Sequence, residues 1–262
     1  MSSAGDETRT VSLSSLPAAV QKAVQTQVGD GKLGEIQRVE DEGEVSFEVT
    51  VSKGETERSF TLGAEGTLLS MEVELSATPG VVRQTIEKQV GAGTLDNINK
   101  RFDDGEVSYE VDFTTKADAE RSFTVGADGR LQRVQVTLAE VSAAVRKTIE
   151  AQAGESKPGD IFKTFEDGDI FYDVEMTRAG KDRDFSVAAN GRLASQEVFL
   201  SELPAPARKT VKEKIGDGKI LRIDEVFEKR EGVFPFEVAG RKDGQPFNFS
   251  VGPKGRFLGL DE

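Results

Sequence analysis

Histidine, cysteine and tryptophan are absent from all 262 residues, and tyrosine occurs only twice. Without histidine or cysteine there is no Ser-His-Asp or Cys-His triad, no imidazole base for neutral pH, and no thiolate or imidazole metal ligand. Chemistry is left to carboxylates, lysines, hydroxyls and the two tyrosines, and on that inventory we expect no cofactor, no metal and no catalytic residue. Also missing is any run of about 18 apolar residues, so no membrane span is expected. Basic residues are the minority: 34 Lys and Arg stand against 47 Asp and Glu, a net charge of −13. Such a balance repels nucleic acid and anionic membranes and favours a cationic or neutral partner. Met1 to Thr10 is polar, lacks the apolar core of a secretory signal, and is expected to be a disordered leader over 1–10. The absence of cysteine suits the cytoplasm and the cell envelope equally.

What is present is a repeat. Gly29, Gly91, Gly154 and Gly216 recur at spacings of 62, 63 and 62, each followed seven residues later by an isoleucine: Ile36, Ile98, Ile161 and Ile223. In step with them come Phe47, Tyr109, Tyr172 and Phe236, then Phe60, Phe123, Phe185 and Phe249, then the turn glycines Gly66, Gly129, Gly191 and Gly255. One supersecondary unit has been copied four times. Each copy opens with an apolar stripe at steps of three and four, such as Val82, Thr85, Ile86 and Val90, which predicts a helix of about 12 residues closed by the glycine. Pro17, Pro79, Pro204 and Ser142 mark the starts.

The period then switches to two. Val45, Phe47, Val49 and Val51 alternate with Ser46, Glu48 and Thr50, the pattern of a strand with one wet face. Asp128-Gly129 and Asn190-Gly191 read as type I′ hairpin turns. The fold class is therefore α+β, with four tandem repeats, each one helix packed on a four-stranded antiparallel sheet, over residues 11–75, 76–138, 139–200 and 201–262. A copy of 62 residues buries only about 60% of its unfolded surface, so neighbours are expected to share a sheet edge or a face.

The order of helix, glycine, Val-Ser-Phe/Tyr-Glu-Val strand, Arg-Ser-Phe-Thr-Val strand and Ala-Asp-Gly-Arg-Leu hairpin resembles the PepSY-like domain, related to the β-lactamase inhibitor protein. The resemblance covers residues 11–262. It implies a periplasmic or extracellular home and a non-catalytic role, either inhibiting secreted enzymes or binding envelope components. Familiar members have two such units, and this chain has four copies. No particular partner is implied, and a monomer or weak oligomer is expected.

Three groups of residues are candidate sites. The bends at 41–44, 103–106 and 166–169 carry clustered carboxylates, which read either as solvated turns or as oxygen ligands for Ca²⁺, though the bidentate Glu of an EF-hand is missing. Glu48, Glu110, Asp173 and Glu237 repeat on the face away from the helix, as an acidic docking stripe or as the wet face of a sheet. In the third copy, Phe162 replaces Gln37 and Asn99, Phe171 replaces Ser46 and Ser108, and Phe199 replaces Glu74 and Thr137. Three rings on the water-facing parity predict an apolar patch, either packed on another copy or chain, or open to a partner or ligand. Two function classes follow: a non-catalytic binding or inhibitory protein, and a carboxylate-dependent hydrolase of the cell envelope.

Overall fold

The structure is a computed structural model, and it describes residues 7–41, 44–103, 105–166, 168–178, 180–228, 232–242 and 245–260. The chain divides into two compact units, Met1–Gln132 and Arg133–Glu262. In the first, β1 (Glu7–Thr10) leads to α1 (Ala18–Val28), β2 (Lys32–Asp41), β3 (Glu44–Lys53), β4 (Thr56–Gly63) and β5 (Leu68–Glu72). Then come α2 (Gly80–Val90), β6 (Thr94–Asp103), β7 (Glu106–Thr114) and β8 (Glu120–Gly126). After β9 (Leu131–Val136), the second unit runs α3 (Ala143–Ala153), β10 (Ile161–Glu166), β11 (Asp169–Val174), a ribbon of β12 (Thr177–Arg178) and β13 (Lys181–Asp182), β14 (Phe185–Ala188) and β15 (Leu193–Glu197). It ends with α4 (Ala205–Ile215), β16 (Lys219–Val226), β17 (Phe236–Lys242), β18 (Gln245–Pro246), β19 (Phe249–Val251) and β20 (Phe257–Leu260).

The expected four helix-on-sheet repeats are corrected by the strand pairing. Eighteen of the described strands lie in large antiparallel sheet, with β12 and β13 apart and only four α-helices. In the first unit β5 pairs β6, with Met71 opposite Lys100, so the strands of two sequence copies are hydrogen-bonded without a break. In the second unit β15 pairs β16 in the same way, with Gln196 opposite Glu225. The physical reason is the edge: four strands alone would leave two rows of unpaired backbone groups, and pairing with the next copy covers one of them in each. Of the expected leader, residues 1–6 lie outside the described residues, whereas Glu7–Thr10 is a strand paired with the outer edge of β2, from Glu7 opposite Glu40 to Thr10 opposite Gln37.

Helix and strand faces follow the sequence pattern. Val20 and Val24 of α1 are fully buried against Phe47, Val49, Phe60 and Leu62. Val145 and Ile149 of α3 sit over Phe185 and Val187, and Ala207 and Val211 of α4 over Phe249 and Val251. Pro17, Pro79 and Pro204 occupy the N-cap position itself, and in the third copy Ser142 accepts a hydrogen bond from the Val145 amide at 3.3 Å. The hairpins differ from the type I′ expectation. Only the glycines have positive φ, 80° at Gly66 and 83° at Gly129 and Gly191, whereas type I′ needs it at both central residues. The Gly66 amide donates to the Gly63 carbonyl and the Gly63 amide to the Thr67 carbonyl, with the same pair between Ala188, Gly191 and Arg192, so these loops are a turn followed by a glycine bulge.

Candidate functional site

Alternation along β10, β11 and β14 to β17 sends one residue in two to the face away from α3 and α4. Pairing aligns them in rows: Phe162 opposite Asp173, Asp173 opposite Ser186, and Ser186 opposite Ser195. Further along, Glu197 faces Asp224, and Asp224 faces Glu237. On this outward face lies a depression of about 440 Å³, lined by Glu166, Asp173, Glu175, Asp184, Asp224 and Glu237 together with Arg133 and Arg222. Thr164, Ser186 and Ser195 complete the polar lining.

Arg222 organises one side of it. Its Nε and Nη2 donate to the two carboxylate oxygens of Asp224 at 2.7 and 2.9 Å, and its Nη1 reaches Asp184 Oδ2 at 3.4 Å. The Asp224 hydrogen bonds hold the Arg222 guanidinium above its already high ordinary value. Two carboxyls of the second unit are raised. Burial pushes the Glu197 carboxyl up, opposed by Arg222 and reinforced by Asp184. Glu175 is pushed up by burial, then by Asp160 and Asp184, with Arg133 at 3.9 Å pulling the other way. Asp173 is bonded by the Thr164 hydroxyl. Six carboxylates and two guanidiniums therefore line one concave surface, and the excess of negative charge suits a cationic group.

The aromatic candidates do not form one patch. Phe162 and Phe171 are diagonal neighbours, since Phe162 faces Asp173 and Phe171 faces Thr164. The Arg133 guanidinium lies over the Phe162 ring at 3.6 Å. Phe199 sits beyond the end of β15, under the Arg183 guanidinium at 3.8 Å and near Lys181 Nζ at 4.6 Å. Among the described residues no ring contact joins the three. Cations roof two of them, so the expected bare hydrophobic surface is absent there.

Glu48 and Glu110 belong to the first unit. Glu48 is exposed between Gln37 and Thr61, while Glu110 takes a 3.0 Å ion pair from Arg101. Next to Glu110, burial and then the Glu110 and Asp96 charges push the Asp112 carboxyl up. The acidic bends include residues 42, 43, 104 and 167, which lie outside the described residues. No cluster of His, Cys, Asp or Glu fit to hold a metal occurs among the described residues. Sequence reasoning missed Arg222, Asp184 and Asp224. Their signal was an alternation of charge, Arg222 then Asp224, at the period-two spacing that puts both on one face.

No helix of the described chain is long and apolar enough to cross a membrane. No protein-family model matches the chain, and no curated protein resembles it in sequence. Among solved structures it is similar to a DUF2874-family protein from Bacteroides ovatus, 12% identical over 46% of this chain and 86% of that one, with a TM-score of 0.35. It is also similar to two proteins ascribed to the periplasm. One is a DUF2874-family protein from Bacteroides vulgatus, 14% identical over 48% of this chain and 95% of that one, TM-score 0.31. The other is from Bacteroides eggerthii, 14% identical over 46% of this chain and 88% of that one, TM-score 0.36. Likeness at these scores assigns the chain neither a role nor a compartment. None of the three is named as PepSY-like or as a β-lactamase inhibitor, so the resemblance drawn from the hairpin motif is unconfirmed.

Proposed function

We propose that the protein is a non-catalytic extracytoplasmic binding protein that engages a basic protein or envelope component through the outward sheet face of its second unit. The observation that carries this reading is the depression in which six carboxylates face two arginines, one of them already bonded to Asp224. A partner presenting lysine or arginine relieves the carboxylate excess and gains charge-assisted hydrogen bonds. The extracytoplasmic placing rests on the resemblance of the copied unit to the PepSY-like domain.

Calorimetric titration with an oligolysine peptide tests it. Binding should weaken steeply as salt is raised, because screening shortens to about 3 Å at 1 M. It should weaken again in the triple variant Glu166→Gln, Asp173→Asn, Glu175→Gln. Equal affinity of that variant at low salt would overturn the reading. A second reading, a carboxylate-dependent hydrolase, is favoured by one observation: burial holds up the carboxyls of Glu175, which lines the depression, and of Glu197, which lines a second cleft of the same unit. Turnover of envelope polymers that disappears in Glu197→Gln would decide for it.

A further inference from the structure

The helix side of the second unit carries a separate cleft of about 570 Å³, bounded by Gln152 of α3 and by Pro204 at the start of α4. Its apolar wall is Met176, Phe185, Val198 and Phe236. At its floor Gln196 Nε2 donates to Glu225 Oε2 at 2.9 Å, across the β15–β16 pairing.

Internal copies show what this position otherwise holds. Two residues past the isoleucine anchor stand Lys100 in the second copy and Lys163 in the third, opposite Met71 and Val134. Each lysine lays its ammonium over the aromatic two residues on, Phe102 at 4.8 Å and Phe165 at 4.9 Å. In the fourth copy the lysine is replaced by Glu225, with Phe227 keeping the aromatic place. At this register position the seam has lost a cationic alkyl chain and gained a carboxylate acceptor. Two cations also line the cleft. Arg183 is neutralised by Glu202 through bonds of 2.6 and 2.8 Å, Arg178 lies on the exposed ribbon, and the Glu197 carboxylate lines the cleft as well.

We propose that this cleft binds an alkylammonium group, of the kind a lysine side chain presents, with its methylenes on Phe185, Phe236 and Met176 and its ammonium on Glu225. The cleft shares only Phe185 with the lining of the outward depression, and neither proposal depends on the other.

Methyl-labelled methionine reports on it directly, since Met176 lines the cleft while Met71 lies in the first unit as an internal control. Pentylammonium should shift the Met176 methyl resonance in a saturable way and leave Met71 in place. Pentanol should not. Glu225→Gln should weaken binding about tenfold by removing a charged acceptor, and Glu225→Lys, which restores the residue of the second and third copies, should abolish it. Nα-acetyl-lysine amide, run in parallel, tells a protein-borne source from a free amine: binding of both fits a lysine side chain, and binding of pentylammonium alone fits a small amine. The outward-face triple variant should titrate unchanged at Met176. An unmoved Met176, equal binding of pentanol, or an unaltered titration in Glu225→Lys would overturn the proposal.

Discussion

The hydroxyl of Thr85 donates to the backbone carbonyl of Gly129 across 2.6 Å, tying α2 to the hairpin that follows β8. Thr148 does the same to Gly191 at 2.5 Å, and Thr210 to Gly255 at 2.8 Å. The first copy has Ala23 in that place and cannot make the bond. At Gly129 a Cβ would lie 2.9 Å from the Val81 carbonyl oxygen, so the turn must be glycine both for its φ of 83° and for the close approach of the helix.

Thr85→Ala should lower stability by about 1 kcal/mol, the usual net worth of one such bond. Gly129→Ala should cost more, because strain in φ adds to the clash. Ala23→Thr should gain a fraction of the same amount. Urea unfolding of the three variants checks all of these together, and a neutral Thr85→Ala would show that the tie contributes nothing.

Phe123 is 1% exposed and packs edge-on to Phe113 with ring centroids 5.5 Å apart. Phe123→Ala should cost about 3 to 5 kcal/mol. Phe171, half-buried on the outward face, should tolerate serine far better. A loss below about 1 kcal/mol for Phe123→Ala would contradict the burial of that strand face.

Much of this was legible in the sequence, for a physical reason: side-chain direction has period 2 in strands and 3.6 in helices. The copies of Phe60, Phe123, Phe185 and Phe249 are all buried, as their alternation required. That copies share a sheet edge was legible from their thin size, but the register of that edge was not, because nothing in Met71 or Lys100 marks them as cross-strand neighbours. Phe199 misled by parity: counting along β15 sets its face, but the strand ends at Glu197 and the ring turns toward Arg183. The depression escaped notice because Arg222 and Asp184 lie 38 residues apart and meet only through the pairing of strands.

Acid should act through Glu202. Two hydrogen bonds from Arg183, then one from the Phe199 amide, bring its carboxyl from 4.5 down to about 2. A lowered carboxyl contributes stability above its ordinary value and loses it as pH falls through the folded one. The melting-temperature gap between the native protein and Glu202→Gln should therefore be constant above pH 4.5 and close as pH falls toward 2. Because Glu202 is 45% exposed, the gap is worth at most about 1 kcal/mol. Glu197 has the opposite sign: its carboxyl is raised, so its contribution is complete at low pH and lost as pH rises through the raised value. Glu197→Gln should gain stability relative to the native protein as pH rises from the ordinary carboxyl range to the raised value and level off above it, and an unchanged difference across thermal melts from pH 4 to 8 would contradict it.

The central claim is that a basic partner sits on the outward face of the second unit, and hydrogen exchange with and without oligolysine, in the Glu225→Lys variant that closes the helix-side cleft to ammonium groups, tests it most directly. The account predicts added protection along β10, β11 and β14 to β16, with α3 and α4 unchanged. Protection confined to the first unit, or none at saturating peptide, would contradict it.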